Sequence, residues 1–218
     1  MVRTAKPARG NRAMSITELY GKRRSTYRLE GDFAALIGEE IELTGAWFIW
    51  GGTNSGKTSL AMLLGKELTK YGRVAYNSLE QKDSLTIVLA LKRVRMEEVA
   101  RRFIFLNAEP LAELKERLSK QKSPDIIIID SFQHGRYKYE QYIELIELFP
   151  RKLFVFISQA RGKDPMGSDA ESAKYTADVK IRVEGCKAFA QSRYGGHTPF
   201  VIWEDRAARY WGDRIDND

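Results

Sequence analysis

A doubly wound α/β fold around a mostly parallel sheet is what this sequence predicts, on three observations. Ile126-Ile127-Ile128-Ile129 is an unbroken β-branched run, the pattern of a strand buried on both faces. Short apolar runs alternate with helical patterns through residues 46–157, which implies parallel strands joined by crossover helices. A glycine-rich turn, Gly51-Gly52-Thr53-Asn54-Ser55-Gly56-Lys57-Thr58, joins the first such run to the helix after it.

Each element has its own signal. Residues 31–38 read as a short helix capped by Asp32 and stopped by Gly38. The run at 46–50 is a buried strand, and the helix at 59–71 carries Leu60, Leu63, Leu64 and Leu68 at helical spacing before Gly72. A second strand spans 74–78. Residues 84–102 read as one helix, with Ile87, Leu91 and Val94 on one face and basic residues on another. A third strand at 103–106 precedes a helix at 111–120 begun by Pro110. After the isoleucine strand come a helix at 139–148, closed by Pro150, and a strand at 153–157. Three short strands at 179–183, 188–193 and 200–204, joined by glycine-containing turns, predict an antiparallel C-terminal extension.

At 218 residues the chain suits one α/β domain preceded by a tail. Residues 1–28 hold Arg3, Lys6, Arg9, Arg12, Lys22, Arg23, Arg24 and Arg28 against the lone acid Glu18, so the whole +7 of the chain resides there. A segment this basic and this poor in large apolar residues cannot bury enough surface to fold alone. Residues 1–30 are therefore expected to form a disordered basic arm, and 31–218 the folded domain. Such an arm suits a phosphate backbone, where each neutralised phosphate releases counterions.

Several classes are excluded at this stage. Cys186 is the single cysteine and forms no internal disulfide, and His134 and His197 have no partners at metal-ligand or hydrolase spacing. A reducing compartment follows, the cytoplasm or nucleoid. No apolar run approaches the roughly 20 residues that span a bilayer. The N-terminus lacks the apolar stretch of a secretory signal, and Pro7 and Gly10 interrupt the amphipathic helix of a transit peptide.

The glycine-rich turn satisfies G-x-x-x-x-G-K-[ST] at every fixed position. Between a strand and a helix it aims backbone N–H groups at phosphate oxygens, so residues 51–59, Ser59 included, form a candidate nucleoside triphosphate site. Lys57 would reach the β- and γ-phosphates, and the Thr58 hydroxyl would hold Mg²⁺. Asp130 ends the isoleucine strand, where an acidic Mg²⁺ partner belongs. Glu80, just beyond the strand at 74–78, could take a proton from, or orient, an attacking water; Asp83 competes with it as a helix-start acid. Gln159 ends the strand at 153–157 and could sense the γ-phosphate. Arg193, at a strand end before a turn, could stabilise transferred charge in cis or from a neighbouring subunit. The glycine-rich, basic segment 161–168 reads as a loop that could stay mobile until it meets a phosphate backbone. Basic residues at 92–102 could line a DNA path or merely solvate a helix face, the second being the plainer reading.

In this order the pieces resemble the RecA-like ATPases, and most closely the branch of RadA-type recombination proteins and DnaB-type replicative helicases. The similarity spans about residues 31–212. Tyr76-Asn77-Ser78-Leu79-Glu80 looks like the segment holding the family's catalytic glutamate. Ser123-Pro124-Asp125 with the isoleucines and Asp130-Ser131-Phe132-Gln133 is similar to its second nucleotide motif, and Ile157-Ser158-Gln159-Ala160-Arg161 to its sensor strand. Residues 174–179 resemble the segment after its DNA-binding loop. Gln191-Ser192-Arg193-Tyr194-Gly195 with Phe200-Val201-Ile202-Trp203 resembles the helicase terminal hairpin, with Gln191 where that hairpin usually carries a lysine.

The resemblance implies an ATPase using Mg²⁺ and binding DNA in recombination, replication or transposition. DNA contact is expected through the basic arm and residues 161–168. A homo-oligomer is expected too, with a hexameric ring the family-derived form beside a monomer or an ATP-dependent filament. The chain reads as a bare motor core with a basic arm, of the kind carried by a virus or mobile element. Two rival functions fit the same motif: an ATP-switched module controlling a helicase or transposase partner, and a small-molecule kinase with 161–168 as its lid.

Overall fold

The computed structural model describes residues 13–215. In chain order the elements are α1 (Ile16–Gly21), β1 (Thr26–Arg28), α2 (Gly31–Ile37), β2 (Glu40–Glu42), β3 (Gly45–Gly51), α3 (Lys57–Leu68), β4 (Val74–Ser78) and α4 (Leu85–Arg93). There follow β5 (Phe103–Asn107), α5 (Leu111–Ser119), β6 (Ile126–Asp130), α6 (Tyr139–Leu148), β7 (Leu153–Arg161) and β8 (Asp164–Pro165). The chain closes with α7 (Ser168–Thr176), β9 (Val179–Glu184), β10 (Lys187–Ser192), β11 (Phe200–Val201) and α8 (Glu204–Ile215).

The main sheet runs β11-β10-β9-β3-β7-β6-β4-β5, with β8 folded back on β7. The strands β9, β3, β7, β6, β4 and β5 are parallel, and β10 and β11 add the antiparallel edge. Alternation along the central strands assigns each side chain to one of two cores. Trp47, Ile49, Ile126, Ile128, Val155 and Ile157 pack with Leu60, Leu64 and Leu68 of α3 and with Ile87 of α4. Phe48, Trp50, Ile127, Ile129, Phe154 and Phe156 pack with Leu114 of α5, Leu145 of α6 and Ala173 of α7. Helices thus cover both faces, and the predicted α/β architecture with its antiparallel extension is the one observed.

Part of the stretch expected as a disordered arm over 1–30 is structured. Arg3, Lys6, Arg9 and Arg12 lie outside the described residues. Thr26–Arg28 pairs with β2, Leu29 is fully buried, and Tyr71 Oη donates to Arg28 O at 2.6 Å. Composition misjudged this stretch because Tyr27 and Leu29 bury against the domain rather than against each other. α1 is held by Ser15 and Glu18 in a capping box and buries none of its residues.

Four elements differ from expectation. α2 starts after Glu30, leaving Asp32 in its first turn rather than at its cap. The single helix predicted over 84–102 breaks at Arg95, whose φ is 52°, and resumes as a 3-10 turn at Met96–Val99. Lys66 Nζ donates to Val94 O at 2.8 Å and pairs with Glu98 at 2.6 Å, which satisfies the end of α4 from outside. The segment 161–168 begins in a short hairpin where a loop was expected. Ala160 and Arg161 pair with Pro165 and Asp164, and Trp50 Nε1 donates to Lys163 O at 2.9 Å. Finally, strand pairing in the last predicted strand stops at Val201, and α8 begins at Glu204 with Glu204 and Asp205 in its first turn.

Candidate functional site

The site is built at the carboxyl ends of the parallel strands. β3 delivers Gly51 between β7 and β9, in register with Gln159 and Val183. That position admits no side chain: a Cβ on Gly51 would lie 2.1 Å from Val183 O. The chain then turns through Asn54 (φ 59°) and Gly56 (φ 107°) into α3. The first intrahelical bond runs from Leu60 N–H to Gly56 O. The N–H groups of Lys57, Thr58 and Ser59 precede it and remain directed at the cleft, where a helix N-terminus favours anions. Gly52 is exposed with open space around it, and Ser55 Oγ is buried without a hydrogen-bond partner among the described residues. An open glycine and an orphaned hydroxyl beside free N–H groups fit an oxyanion ligand.

Lys57 and the carboxylates complete the electrostatics. Lys57 Nζ donates to Gly52 O at 2.7 Å, bending over the loop. Burial pushes its ammonium below the ordinary lysine range, against the pull of Asp130 and Glu80. Asp130, at the end of β6, is almost fully buried, and burial raises its carboxyl to about 6; the Tyr76 hydroxyl, hydrogen-bonded to Asp130 Oδ2, opposes that rise. Thr58 Oγ1 lies 3.4 Å from the same oxygen. A hydroxyl and a carboxylate side by side are hard oxygen donors, the set that suits Mg²⁺, which keeps several waters and borrows phosphate oxygens for the rest. No cluster of three or more metal-ligating side chains occurs among the described residues, and a phosphate-assisted Mg²⁺ needs none.

Glu80 enters through the main chain. The N–H groups of Leu79 and Glu80 both donate to Asp130 O, at 2.6 and 3.0 Å, which fixes the turn after β4 to the end of β6. Its carboxylate is about a third exposed, 3.4 Å from His134 Nδ1, and that ring nitrogen is also 2.9 Å from Ser131 Oγ. Gln159 is held by its backbone: its N–H donates to Gln133 Oε1 at 3.1 Å and its carbonyl accepts from Met166 N–H at 2.8 Å. One cleft of about 440 Å³ is lined by Thr53 to Ser59, Glu80, Asp130 and Gln159. The predicted phosphate, metal and water-activating residues therefore converge. Asp83 does not line that cleft.

Arg193 does not join them. It pairs with Asp178 at 2.9 Å, and Asp178 N–H bonds Ala46 O, near the start of β3. Five steps of strand lead from Ala46 to Gly51, about 17 Å at a rise of about 3.3 Å per residue. β10 runs antiparallel, so its last residues finish at the far end of the sheet, and a cis role for Arg193 is excluded.

The sequence missed the rest of the cleft. Thr86, Ala90, Arg93, Trp203 and Arg206 line it as well. Arg93 and Arg206 lie over the Trp203 ring, 5.0 and 4.2 Å from its centroid. These residues are distant in sequence and share no motif. His134 was missed as well, because its partners come from the ends of two different strands. An amphipathic reading of 204–212 would have signalled α8 and with it Arg206.

Strand, glycine-rich turn and carboxylates beyond the neighbouring strands stand on an α/β fold of RecA-like architecture. The solved structure of the flagellar accessory protein FlaH from Methanocaldococcus jannaschii superposes with a TM-score of 0.58 over 82% of this chain and 94% of that one, at 16% identity. No protein-family model and no curated protein matches the sequence.

Proposed function

We propose that this protein is a Mg²⁺-dependent ATPase that binds DNA and acts in recombination, replication or transposition. The observation that carries the reading is the convergence of Glu80, Asp130, Lys57 and Thr58 in one cleft, with Glu80 and Asp130 tied together by the Asp130 carbonyl. The loop N–H groups and Lys57 bind the triphosphate and hold its terminal oxygens. Thr58 and Asp130 would hold Mg²⁺, whose charge would offset that of the phosphate oxygens. Glu80 orients the attacking water and accepts its proton, and Gln159, in register with Gly51, faces the γ-phosphate end. With Arg193 remote in cis, any contribution of that guanidinium comes from a second copy in a homo-oligomer, a hexameric ring in the RadA- and DnaB-type branch. DNA contact is supported by the concentration of the net charge in residues 1–28. No described helix is long and apolar enough to cross a membrane, and a cytoplasmic or nucleoid setting suits this reading.

A second reading has the same chemistry serve as a timer for a protein partner of the replication or transposition machinery. The FlaH likeness favours it, since that fold serves there in an accessory protein. Steady-state ATP hydrolysis with and without single-stranded DNA separates the two, with Glu80→Gln as the blank. Stimulation by DNA that vanishes in the blank supports the first. Turnover that DNA leaves unchanged sinks it in favour of the timer. If Glu80→Gln turns over like wild type, the assignment of the water-activating residue fails in both.

A further inference from the structure

The edge of the sheet carries a surface that the nucleotide chemistry does not use. On β9, Val179, Ile181 and Val183 face the core, so Lys180, Arg182 and Glu184 share the opposite face. The antiparallel register places Gln191, Phe189 and Lys187 of β10 directly across from them. Helix α7 covers β3 and β7 on this side but stops short of β9, where it presents Tyr175, 78% exposed. Basic and aromatic side chains interleave across the strip: Lys180 over Tyr175 at 5.4 Å, Arg182 over Phe189 at 5.2 Å, and Lys187 over Trp211 at 5.5 Å. The neighbouring acids Glu184 and Asp164 are engaged by Arg182 and Lys174. Lys163, Lys180 and Lys187 have no carboxylate within ion-pair distance among the described residues, so the strip keeps an excess of positive charge.

Resting on the DNA-binding reading above, the geometry points to this β9–β10 face as the track for a single strand of nucleic acid. Flat aromatic rings on a sheet accept unstacked bases, and the lysines beside them meet the phosphates. A duplex, its bases already stacked, gains only the charge contacts. At its upper end the strip opens into a second cleft of about 660 Å³, lined by Trp50, Gly162, Lys163, Arg182 and Tyr210. Thr53, Asn54, Ser55 and Arg206 line both this cleft and the nucleotide cleft. The phosphate-binding turn is the wall between them, so a strand seated in the second cleft presses on the loop that holds Lys57.

Binding of a labelled oligothymidylate, followed by fluorescence anisotropy across a salt series, tests the assignment on the full chain. Lys180→Gln with Lys187→Gln should weaken binding at least tenfold and flatten the slope of log K against log salt by about 1.4, at about 0.7 per lost phosphate contact. Tyr175→Ala should weaken binding about tenfold by removing one stacking platform. Unchanged melting midpoints show that the variants folded. Wild-type affinity in the double variant overturns this face while leaving DNA binding to the N-terminal arginines. A duplex bound as tightly as the single strand overturns the stacking track. If the wild-type protein binds no oligonucleotide, the face and the DNA half of the proposed function fail together.

Discussion

His134 Nδ1 stands 3.4 Å from Glu80 Oε2, which ties the carboxylate beyond β4 to the turn beyond β6. The same ring nitrogen meets Ser131 Oγ at 2.9 Å, so the imidazole is placed by one element and steadies a group on another. A glutamate on a turn has several rotamers of similar energy, and a single polar contact is enough to favour one. His134 is thus a positioning residue for the proposed water-activating carboxylate. His134→Ala should lower the turnover number for ATP roughly fivefold, the effect of about 1 kcal/mol, with KM nearly unchanged. His134→Asn should restore most of the loss, since its amide nitrogen reproduces the Nδ1 position. A raised KM at constant turnover would contradict this role.

Asp130 gives the nucleotide-free protein a characteristic pH dependence. Burial raises its carboxyl from 3.8 to about 6, so between these values the folded state binds the proton that the unfolded state has lost. Stability contributed by the protonated form is complete below the unfolded value and is lost as pH rises through the folded one. The difference is on the order of 2–3 kcal/mol. In the absence of Mg²⁺ and nucleotide, Asp130→Asn should therefore raise the melting midpoint at pH 8 and change it little at pH 4. The same variant should lose the extra stabilisation that Mg²⁺ adds to ATP. A midpoint unchanged or lowered at pH 8 would show that the carboxylate is not held at a cost.

Much of this site was legible because its residues follow strand ends. Gly51, Glu80, Asp130 and Gln159 each stand at or just beyond a strong apolar run, and in a parallel sheet those ends gather on one edge. Arg193 also follows a strand, yet β10 is antiparallel, and a strand run the other way delivers its last residue to the wrong end. The glycine-containing turns predict that direction, but its consequence for Arg193 shows only once pairing places the strand in the sheet. Tyr27 and Leu29 show the same limit: a three-residue strand among arginines is invisible until β2 supplies its partner. Trp203 and Arg93 meet only because α4 and the start of α8 flank one cleft, a contact with no sequence periodicity.

Adjacent glycines in the phosphate-binding turn should respond differently to the same change. A Cβ on Gly51 meets the Val183 carbonyl at 2.1 Å, whereas a Cβ on Gly52 meets nothing within 4 Å. Backbone cannot rotate away as a side chain can, so Gly51→Ala must part β3 from β9 and should cost at least about 2 kcal/mol. Thermal melting should show a clear drop for Gly51→Ala and almost none for Gly52→Ala. Equal drops would mean that both glycines serve the turn and not the sheet.

Trp203 decides whether the base of the nucleotide is held in this cleft. Trp203 lines the same cleft as Lys57, Thr58 and Asp130, with Arg93 and Arg206 over its ring. The phosphate-binding turn offers cations and N–H groups for phosphates, while the indole and the guanidinium planes against it offer flat surfaces for a base. Base stacking on an aromatic side chain is worth about 1–3 kcal/mol. Trp203→Ala should therefore weaken ATP binding about tenfold or more in calorimetric titration. Inorganic triphosphate, which has no base, should bind the variant and the wild type alike. The comparison also guards against an indirect effect: if loss of the indole merely loosened α8 and the loop beside it, both ligands would weaken together, and Trp203 would be a structural residue with no part in holding the base.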